Sequence, residues 1–261
     1  MNVDSKVVTA IVRKAAVEEL LPRFTLVSSQ QKSDGSVVTE ADLAMQSRLE
    51  SELLASFPDT VLLSEEMTKT EQQSALNSKH SVWCLDPLDG TSNYAAGIPY
   101  FAVSLSLIEN NEVVMGLVYD PIRDECFFAD NATSATLNGK TIDASYFNEN
   151  IKNAIAIIDF KRLDTNLSLK LVQEQPFASQ RNFGASALDW CWLAINRGQL
   201  YLHGKQNIWD YSAGHFIFNK MGGFSSTLDG EDIFSSKLEG RSVVAAVNKS
   251  LFHNWFNWLQ G

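Results

Sequence analysis

The chain has 261 residues, of which 45% are hydrophobic, so it can bury a sizeable core as one large domain or two closely packed halves. Its formal charge of −10 opposes a broad electrostatic grip on phosphates, and we therefore expect no nucleic-acid partner. No apolar run is long enough for a membrane span and the N-terminus does not resemble a secretory signal, so we expect a soluble cytoplasmic protein without membrane contact.

Helices and short strands alternate in the first part of the chain. Apolar residues at helical spacing predict a helix over 4–21 and a second over 40–57, for which Thr39 is placed as the N-cap. Short strands are predicted at 61–64 and 81–85. Each of these strands runs directly into acidic residues.

Further along the chain, the apolar pattern first changes to that of antiparallel strands. Apolar runs separated by short polar turns, with Asn138-Gly139 as a hairpin signal, predict an antiparallel meander over 101–143. After a polar connection at 144–152, strands are predicted at 154–158, 199–203 and 243–247. The helices predicted for this part are 165–173, 185–197, 211–221 and one that begins at Asn248.

Two aspartates, Asp86 and Asp89, stand in the segment WCLDPLDGTSNY, directly after a predicted strand. Asp-Pro and Asp-Gly are common turn dipeptides, so the segment taken alone favours a simple reversal of the chain. Further acidic residues at the ends of other predicted helices and strands favour a metal site instead.

Three further acids occupy such positions. Glu65 and Glu66 follow the strand predicted at 61–64, and Asp210 precedes the helix predicted at 211–221. Taken singly, the glutamates are typical of a solvated loop and Asp210 of an N-cap. If the acids converge on one point in the fold, a solvated loop and an N-cap explain the set less well than a shared site does.

A hard divalent cation accounts for the acids as a set. Mg²⁺, or Mn²⁺ in its place, prefers oxygen ligands and needs neither thiolate nor imidazole, whereas converging carboxylates without a cation repel and partly protonate. The proline between Asp86 and Asp89 constrains the turn, so that both carboxylates and the Leu88 carbonyl can point the same way. The N–H groups of Gly90 and Thr91 can then receive a phosphate oxygen.

Several ordered segments of the chain resemble the signature segments of the inositol monophosphatase family. They are VVTEAD at 37–42, SEE at 64–66, DPLDGT at 86–91, GASALDWCWLA at 184–194 and WDYSAG at 209–214. This likeness implies an α/β fold, a layered αβαβα sandwich with mixed or antiparallel sheets, in one domain over 1–261. It implies metal motifs in an N-terminal half, 1–145, a C-terminal half at 150–261, and assembly as a homodimer.

The resemblance also implies an enzyme, a lithium-sensitive phosphatase that uses two or three Mg²⁺ ions. One ion is expected on Glu65, Asp86 and the Leu88 carbonyl, and Glu65 is also implied in catalysis. A second ion is expected on Asp86, Asp89 and Asp210, and a third, looser one beside Glu65.

The catalytic water is implied to be oriented by Thr91, which Asp42 holds in place. In two-metal ester hydrolysis one ion lowers the pKa of this water and the other stabilises the leaving alkoxide. Asp42 has a second interpretation, because Thr39 and Asp42 are spaced like a capping box, and both roles can hold at once. Glu66 and Lys32 are implied to support the site without binding the metal.

The substrate stays open at this stage. The resemblance implies that Gly184, Ala185 and Ser186 contact the leaving group, together with the residue seven positions before Asp210. That residue is acidic in inositol-hydrolysing relatives but is His203 here. We therefore expect a small phosphorylated metabolite, with 3′-phosphoadenosine 5′-phosphate, sugar phosphates and histidinol phosphate as alternatives to inositol phosphate. A mainly macromolecule-binding role is the alternative of a different class.

Overall fold

The computed structural model describes residues 3–24, 29–31, 37–144 and 149–261. The helices are α1 (Ser5–Ala15), α2 (Glu40–Ser56), α3 (Lys69–Leu76), α4 (Thr91–Ala95), α5 (Thr165–Glu174), α6 (Ser186–Ala194), α7 (Ile208–Lys220) and α8 (Lys249–Gln260). A π-helical stretch, Ala16–Leu20, continues α1, and a 3₁₀ turn lies at Ile151–Asn153. None of the described helices is both long and apolar enough to cross a membrane.

The strands form two large sheets and one small one. They are β1 (Ser29–Gln31), β2 (Val37–Thr39), β3 (Thr60–Ser64), β4 (Ser81–Asp89), β5 (Ala102–Glu109), β6 (Glu112–Asp120), β7 (Glu125–Asp130), β8 (Thr136–Leu137), β9 (Lys140–Thr141), β10 (Ile155–Asp159), β11 (Ser179–Arg181), β12 (Leu200–Gln206), β13 (Phe224–Ser226) and β14 (Arg241–Ala246).

The first large sheet has the order β3-β4-β5-β6-β7-β8-β9, with β3 and β4 parallel and the later pairs antiparallel. The meander predicted over 101–143 is therefore confirmed. The second large sheet has the order β11-β10-β12-β14-β13 and is parallel only among β11, β10 and β12. Strands β1 and β2 form the small antiparallel sheet.

Helices and sheets stack in five layers. Leu49 of α2 and Val12 of α1 belong to the core on one face of the first sheet. Helices α6 and α7 lie between the two large sheets, where Trp190 packs edge-on against Tyr201 of β12 with ring centroids 5.2 Å apart. Trp255 of α8 belongs to the core on the outer face of the second sheet. The predicted αβαβα sandwich is confirmed.

The start of α7 corrects one prediction. The helix predicted at 211–221 begins at Ile208, so Asp210 is its third residue and not its N-cap. Asn207 stands at the cap and donates its N–H to the Asp210 carboxylate at 2.7 Å. Asparagine is as good an N-cap as aspartate, and an acid three residues later completes a capping box.

Candidate metal centre

Three carboxylates from separate parts of the chain converge at one end of the first sheet. Glu65, Asp86 and Asp210 each offer an oxygen, and these oxygens all lie within 4.8 Å of one another. Glu65 follows β3, Asp86 lies in β4 and Asp210 lies in the first turn of α7. The convergence expected from the sequence is present for these three acids.

The parallel pairing of β3 and β4 brings the first two acids together. Ser64 pairs with Leu85, and the Glu65 N–H donates to the Leu85 carbonyl at 3.3 Å. Glu65 therefore lies next to Asp86, at the point where β3 ends and β4 continues to Asp89. Parallel neighbours run in the same direction, so their carboxyl ends share one edge of the sheet.

Two serines of β5 hold α7 against the first sheet and so place the third acid. Ser104 is in register with Asp86, and its hydroxyl donates to the Trp209 carbonyl at 3.0 Å. The hydroxyl oxygens of Ser106 and Ser212 lie 2.7 Å apart. Asp210 follows Trp209 directly, so the Ser104 contact fixes it beside Asp86.

Asp89 is bound differently from the other three acids. Its Oδ1 accepts the N–H of Ser186 at 3.1 Å and its Oδ2 accepts the N–H of Ala187 at 2.7 Å. These N–H groups lie at the start of α6, where backbone donors lack helical partners and the helix dipole favours an anion. Helix α6 therefore holds the Asp89 carboxylate. Asp89 lies beside the group formed by Glu65, Asp86 and Asp210 and is not part of it.

The proximity of the acids disfavours their charged forms. Burial and the negative charges of Glu65, Asp89 and Asp210 raise the pKa of Asp86 well above its ordinary value. Burial and the charge of Asp210 likewise raise the pKa of Asp89. For Asp210, burial and the charge of Glu65 raise the pKa to about 7.

The sharp turn after Asp89 depends on Gly90, whose φ is 88°. A Cβ at this position would lie 3.0 Å from the Ala185 Cβ and 3.1 Å from the Tyr100 carbonyl oxygen. The turn brings Thr91 to Asp42, with 3.1 Å between the Thr91 Oγ1 and the Asp42 Oδ1. The same hydroxyl lies 2.9 Å from the Leu88 carbonyl oxygen. It has one proton, so donating to Asp42 leaves the Leu88 carbonyl open to another partner.

Asp42 makes the contacts that both interpretations of its sequence position require. Its Oδ2 accepts the backbone N–H of Thr39 at 2.7 Å and the Thr39 hydroxyl at 2.6 Å, which confirms the capping box. Its Oδ1 faces Thr91, and the side chain is 1% exposed. Burial, together with the charge of Glu66, raises the pKa of Asp42.

The donor set fits a hard divalent cation. It consists of carboxylate oxygens, which Mg²⁺ and Mn²⁺ prefer. A cation would also relieve the repulsion that raises the pKa of these acids. Among the described residues, Glu65, Asp86 and Asp210 form a group of three acids whose oxygens lie close enough together to bind one ion.

Comparison with known proteins agrees with this geometry. The model of the inositol monophosphatase family matches residues 2–257. The chain belongs to the inositol monophosphatase family. It is 30% identical over 234 residues to the Nus factor SuhB of Haemophilus influenzae, covering 87% of this chain and 84% of the relative.

Another relative carries an enzyme name. The chain is 32% identical over 227 residues to the fructose-1,6-bisphosphatase/inositol-1-monophosphatase of Aquifex aeolicus, covering 85% of this chain and 81% of the relative. Among solved structures, the extragenic suppressor protein suhB of Bartonella henselae superposes with a TM-score of 0.86 at 26% identity, covering 98% of this chain and 97% of that one. These inositol monophosphatase relatives support a phosphatase.

The structure also places the other residues that the inositol monophosphatase family resemblance implied. Gly184, Ala185 and Ser186 lead into α6. A Cβ on Gly90 would lie 3.0 Å from the Ala185 Cβ, and the Ser186 N–H donates to Asp89, so this segment lies beside the candidate site. Glu66 lies close enough to Asp42 for its charge to act on that carboxyl. Lys32 lies outside the described residues.

His203 lies on β12, is 6% exposed, and faces Asp159 of the neighbouring strand β10. Its Nε2 lies 3.5 Å from the Asp159 Oδ2. The implied substrate contact of His203 stays a prediction. The described geometry puts Asp159 beside it, a residue that the sequence analysis did not single out.

Asn93 is a second residue that the sequence analysis missed. Its side-chain amide donates to the Tyr100 carbonyl at 2.8 Å and to the Phe183 carbonyl at 2.7 Å. It thereby ties the turn at Gly90 to the start of β5 and to the segment before α6. Its place in the segment WCLDPLDGTSNY could have drawn attention to it. Its partners are 7 and 90 residues away along the chain, so the sequence did not predict these contacts.

Proposed function

We propose that this protein is a Mg²⁺-dependent phosphomonoesterase that acts on a small phosphorylated metabolite. The observation that carries the proposal is the convergence of Glu65, Asp86 and Asp210, with oxygens within 4.8 Å of one another. Family membership supports the reaction class. Bound Mg²⁺ supplies Lewis acidity toward phosphate oxygens and toward the attacking water.

The protein's own groups divide the work around that centre. Glu65, Asp86, Asp89, the Leu88 carbonyl and Asp210 hold the ions. The first turn of α6 keeps Asp89 oriented through two N–H groups. Such fixed ligands need no rearrangement when charge develops in the transition state.

Thr91 is proposed to orient the attacking water, and Asp42 to orient Thr91. Donation of the Thr91 proton to Asp42 leaves the lone pairs of the Thr91 oxygen for a hydrogen bond from water. The N–H groups of Gly90 and Thr91 are proposed to receive phosphate oxygens. All these groups depend on the left-handed turn at Gly90.

Phosphate release from a panel of esters tests the proposed function. The panel contains inositol 1-phosphate, 3′-phosphoadenosine 5′-phosphate, fructose 1,6-bisphosphate, histidinol phosphate and p-nitrophenyl phosphate. EDTA is expected to abolish release, Mg²⁺ in excess to restore it, and LiCl to inhibit the restored activity. If none of the five esters releases phosphate at saturating Mg²⁺, the proposal is contradicted.

An Asp42→Asn variant is expected to lower kcat by about 10²-fold with little change in KM. The Asn oxygen can keep the two Thr39 bonds, but its amide then points a donor at Thr91 and reverses the polarity of that contact. Thr91→Ala is expected to have a similar effect on kcat. Kinetics and thermal melts measured on the same samples check both.

The melts separate this role from capping alone. If Asp42 only caps α2, its replacement should cost about 1 kcal/mol of unfolding free energy or less and leave kcat unchanged. An unchanged kcat in both variants would show that Thr91 and Asp42 do not orient the attacking water.

A mainly macromolecule-binding role is the second candidate. The similarity to the Nus factor SuhB favours this binding role. Because of this similarity, the relatives do not support the expected absence of a nucleic-acid partner. The two candidates differ in turnover: a folded, Mg²⁺-binding protein without phosphate release across the panel would favour the second. The expected homodimer and cytoplasmic location stay predictions, and sedimentation velocity measures the former.

A further inference from the structure

Both ring nitrogens of His203 face protein atoms. Nδ1 accepts the backbone N–H of Lys205 at 3.1 Å, which assigns the ring proton to Nε2. Nε2 points toward Asp159, with 3.5 Å to its Oδ2. A buried imidazole engaged on both sides has no acceptor left for a substrate hydroxyl.

Asp159 is better placed to accept such a bond. It is the last residue of β10, it is in register with His203, and its side chain is 20% exposed. Burial alone would raise the pKa of Asp159, but the hydrogen bond from His203 and the N–H of Lys161 hold that pKa below its ordinary value. The carboxylate is therefore ionised and keeps lone pairs for further donors.

The fold places Asp159 at the sheet edge beyond which α7 begins. Strands β10 and β12 are parallel neighbours, so their carboxyl ends share one edge of the second sheet. Beyond that edge β12 runs through Asn207 into α7, which carries Asp210. The edge that ends in Asp159 is thus the edge from which Asp210 reaches the metal centre.

The loop after Asp159 crosses the end of β12. A Cβ on Gly204 would lie 1.8 Å from the Arg162 carbonyl oxygen, so the loop backbone rests directly on this glycine. The positive charge of Arg162 acts on Asp210, where it opposes the rise in the pKa of that carboxyl. Arg162 therefore lies close enough to act on the carboxylate group, and Asp159 lies beside His203, for which the family resemblance implies contact with the leaving group.

We propose that Asp159, oriented by His203, is the carboxylate that accepts hydrogen bonds from hydroxyl groups of the leaving group. The exposed cations Lys161, Arg162 and Lys205 near this carboxylate disfavour a cationic leaving group. This inference rests on the proposed phosphatase activity.

Two esters that differ in their leaving groups test the inference. In inositol 1-phosphate the leaving group carries hydroxyls, and in p-nitrophenyl phosphate it carries none. Asp159→Asn is expected to lower kcat/KM for inositol 1-phosphate by about 10-fold or more, mainly through KM, because a hydrogen bond to a charged acceptor is lost. The same variant is expected to leave kcat/KM for p-nitrophenyl phosphate unchanged. Asp229→Asn, an exposed aspartate in a turn, is the matched control and should change neither.

His203 variants test the positioning role and serve if Asp159→Asn does not fold. His203→Ala is expected to lower kcat/KM for inositol 1-phosphate alone, and His203→Gln, which keeps an N–H donor, to restore part of it. The double variant Asp159→Asn with His203→Glu moves the carboxylate across the strand pair, and it should recover activity on inositol 1-phosphate relative to Asp159→Asn.

The outcomes separate this inference from the proposed function. A wild-type protein that hydrolyses neither ester overturns the proposed function and the inference together. A wild-type protein active on p-nitrophenyl phosphate but on no hydroxylated ester overturns the inference alone. Equal losses on both esters, or no loss on either, in the Asp159 and His203 variants also overturn the inference alone.

Discussion

An Asp210→Asn variant is expected to lose Mg²⁺-dependent phosphate release by about 10³-fold or more, because a metal ligand contributes several kcal/mol of transition-state charge stabilisation. The amide oxygen can still accept the Asn207 N–H, so the cap of α7 is retained. The variant also removes one of the mutually repelling charges around Asp86. Its metal-free form should therefore unfold at a higher temperature than metal-free wild type at pH 7.5.

Steady-state kinetics and thermal melts in EDTA measure the two halves of this result. Asp229→Asn makes the same chemical change at an exposed turn and should alter neither quantity. Turnover near that of wild type in Asp210→Asn would exclude Asp210 as a ligand. A lower melting temperature in EDTA would show instead that the Asp210 charge stabilises the fold.

Metal-free wild type is expected to become less stable as the pH rises from about 4 to about 7. In the folded chain burial and the charge of Glu65 raise the pKa of Asp210 to about 7, so the folded state keeps a proton that the unfolded state releases. Unfolding free energy falls with pH wherever the folded state binds more protons. The raised pKa values of Asp42, Asp86 and Asp89 act in the same direction, whereas the pKa of His215, which burial lowers to about 4, acts in the opposite direction.

Melting temperatures in EDTA at several pH values check this expectation, with a parallel series in Mg²⁺. A bound cation favours the ionised carboxylates, so the stabilisation by Mg²⁺ should be larger at pH 7.5 than at pH 5. Asp210→Asn should flatten part of the decline in EDTA. A metal-free melting temperature that rises between pH 4 and 7 would contradict the electrostatic description of the site.

The long amphipathic elements of the fold were readable from the sequence, and the short ones were not. The helix over Glu40–Ser56 and the meander from β5 to β7 each carry several repeats of their period. Strands of two or three residues, such as β11 and β13, are too short to show one. Helix α3 was not predicted because its mostly polar sequence has few apolar residues at helical spacing, although Thr68 and Glu71 are spaced as in a capping box.

Local motifs determined how much of the site was predicted. Asp86 and Asp89 stand three residues apart in one segment, and Thr39 and Asp42 belong to one cap, so their relations follow from spacing along the chain. The contact between Asp159 and His203 follows from the parallel register of β10 and β12, which no local spacing encodes. The start of α7 was misplaced because the spacing that suits Asp210 as a cap also suits it as the third residue after Asn207.

The most direct test of the metal-dependent centre is phosphate release by the wild-type chain, stripped with EDTA and titrated with Mg²⁺, on the ester that it hydrolyses best. We predict no release before Mg²⁺ is added, a saturable rise as Mg²⁺ fills the carboxylate group, and no such rise in Asp210→Asn. Release in EDTA equal to that in Mg²⁺, or a Mg²⁺ response in Asp210→Asn like that of wild type, would contradict the assignment of Glu65, Asp86 and Asp210 as the metal site.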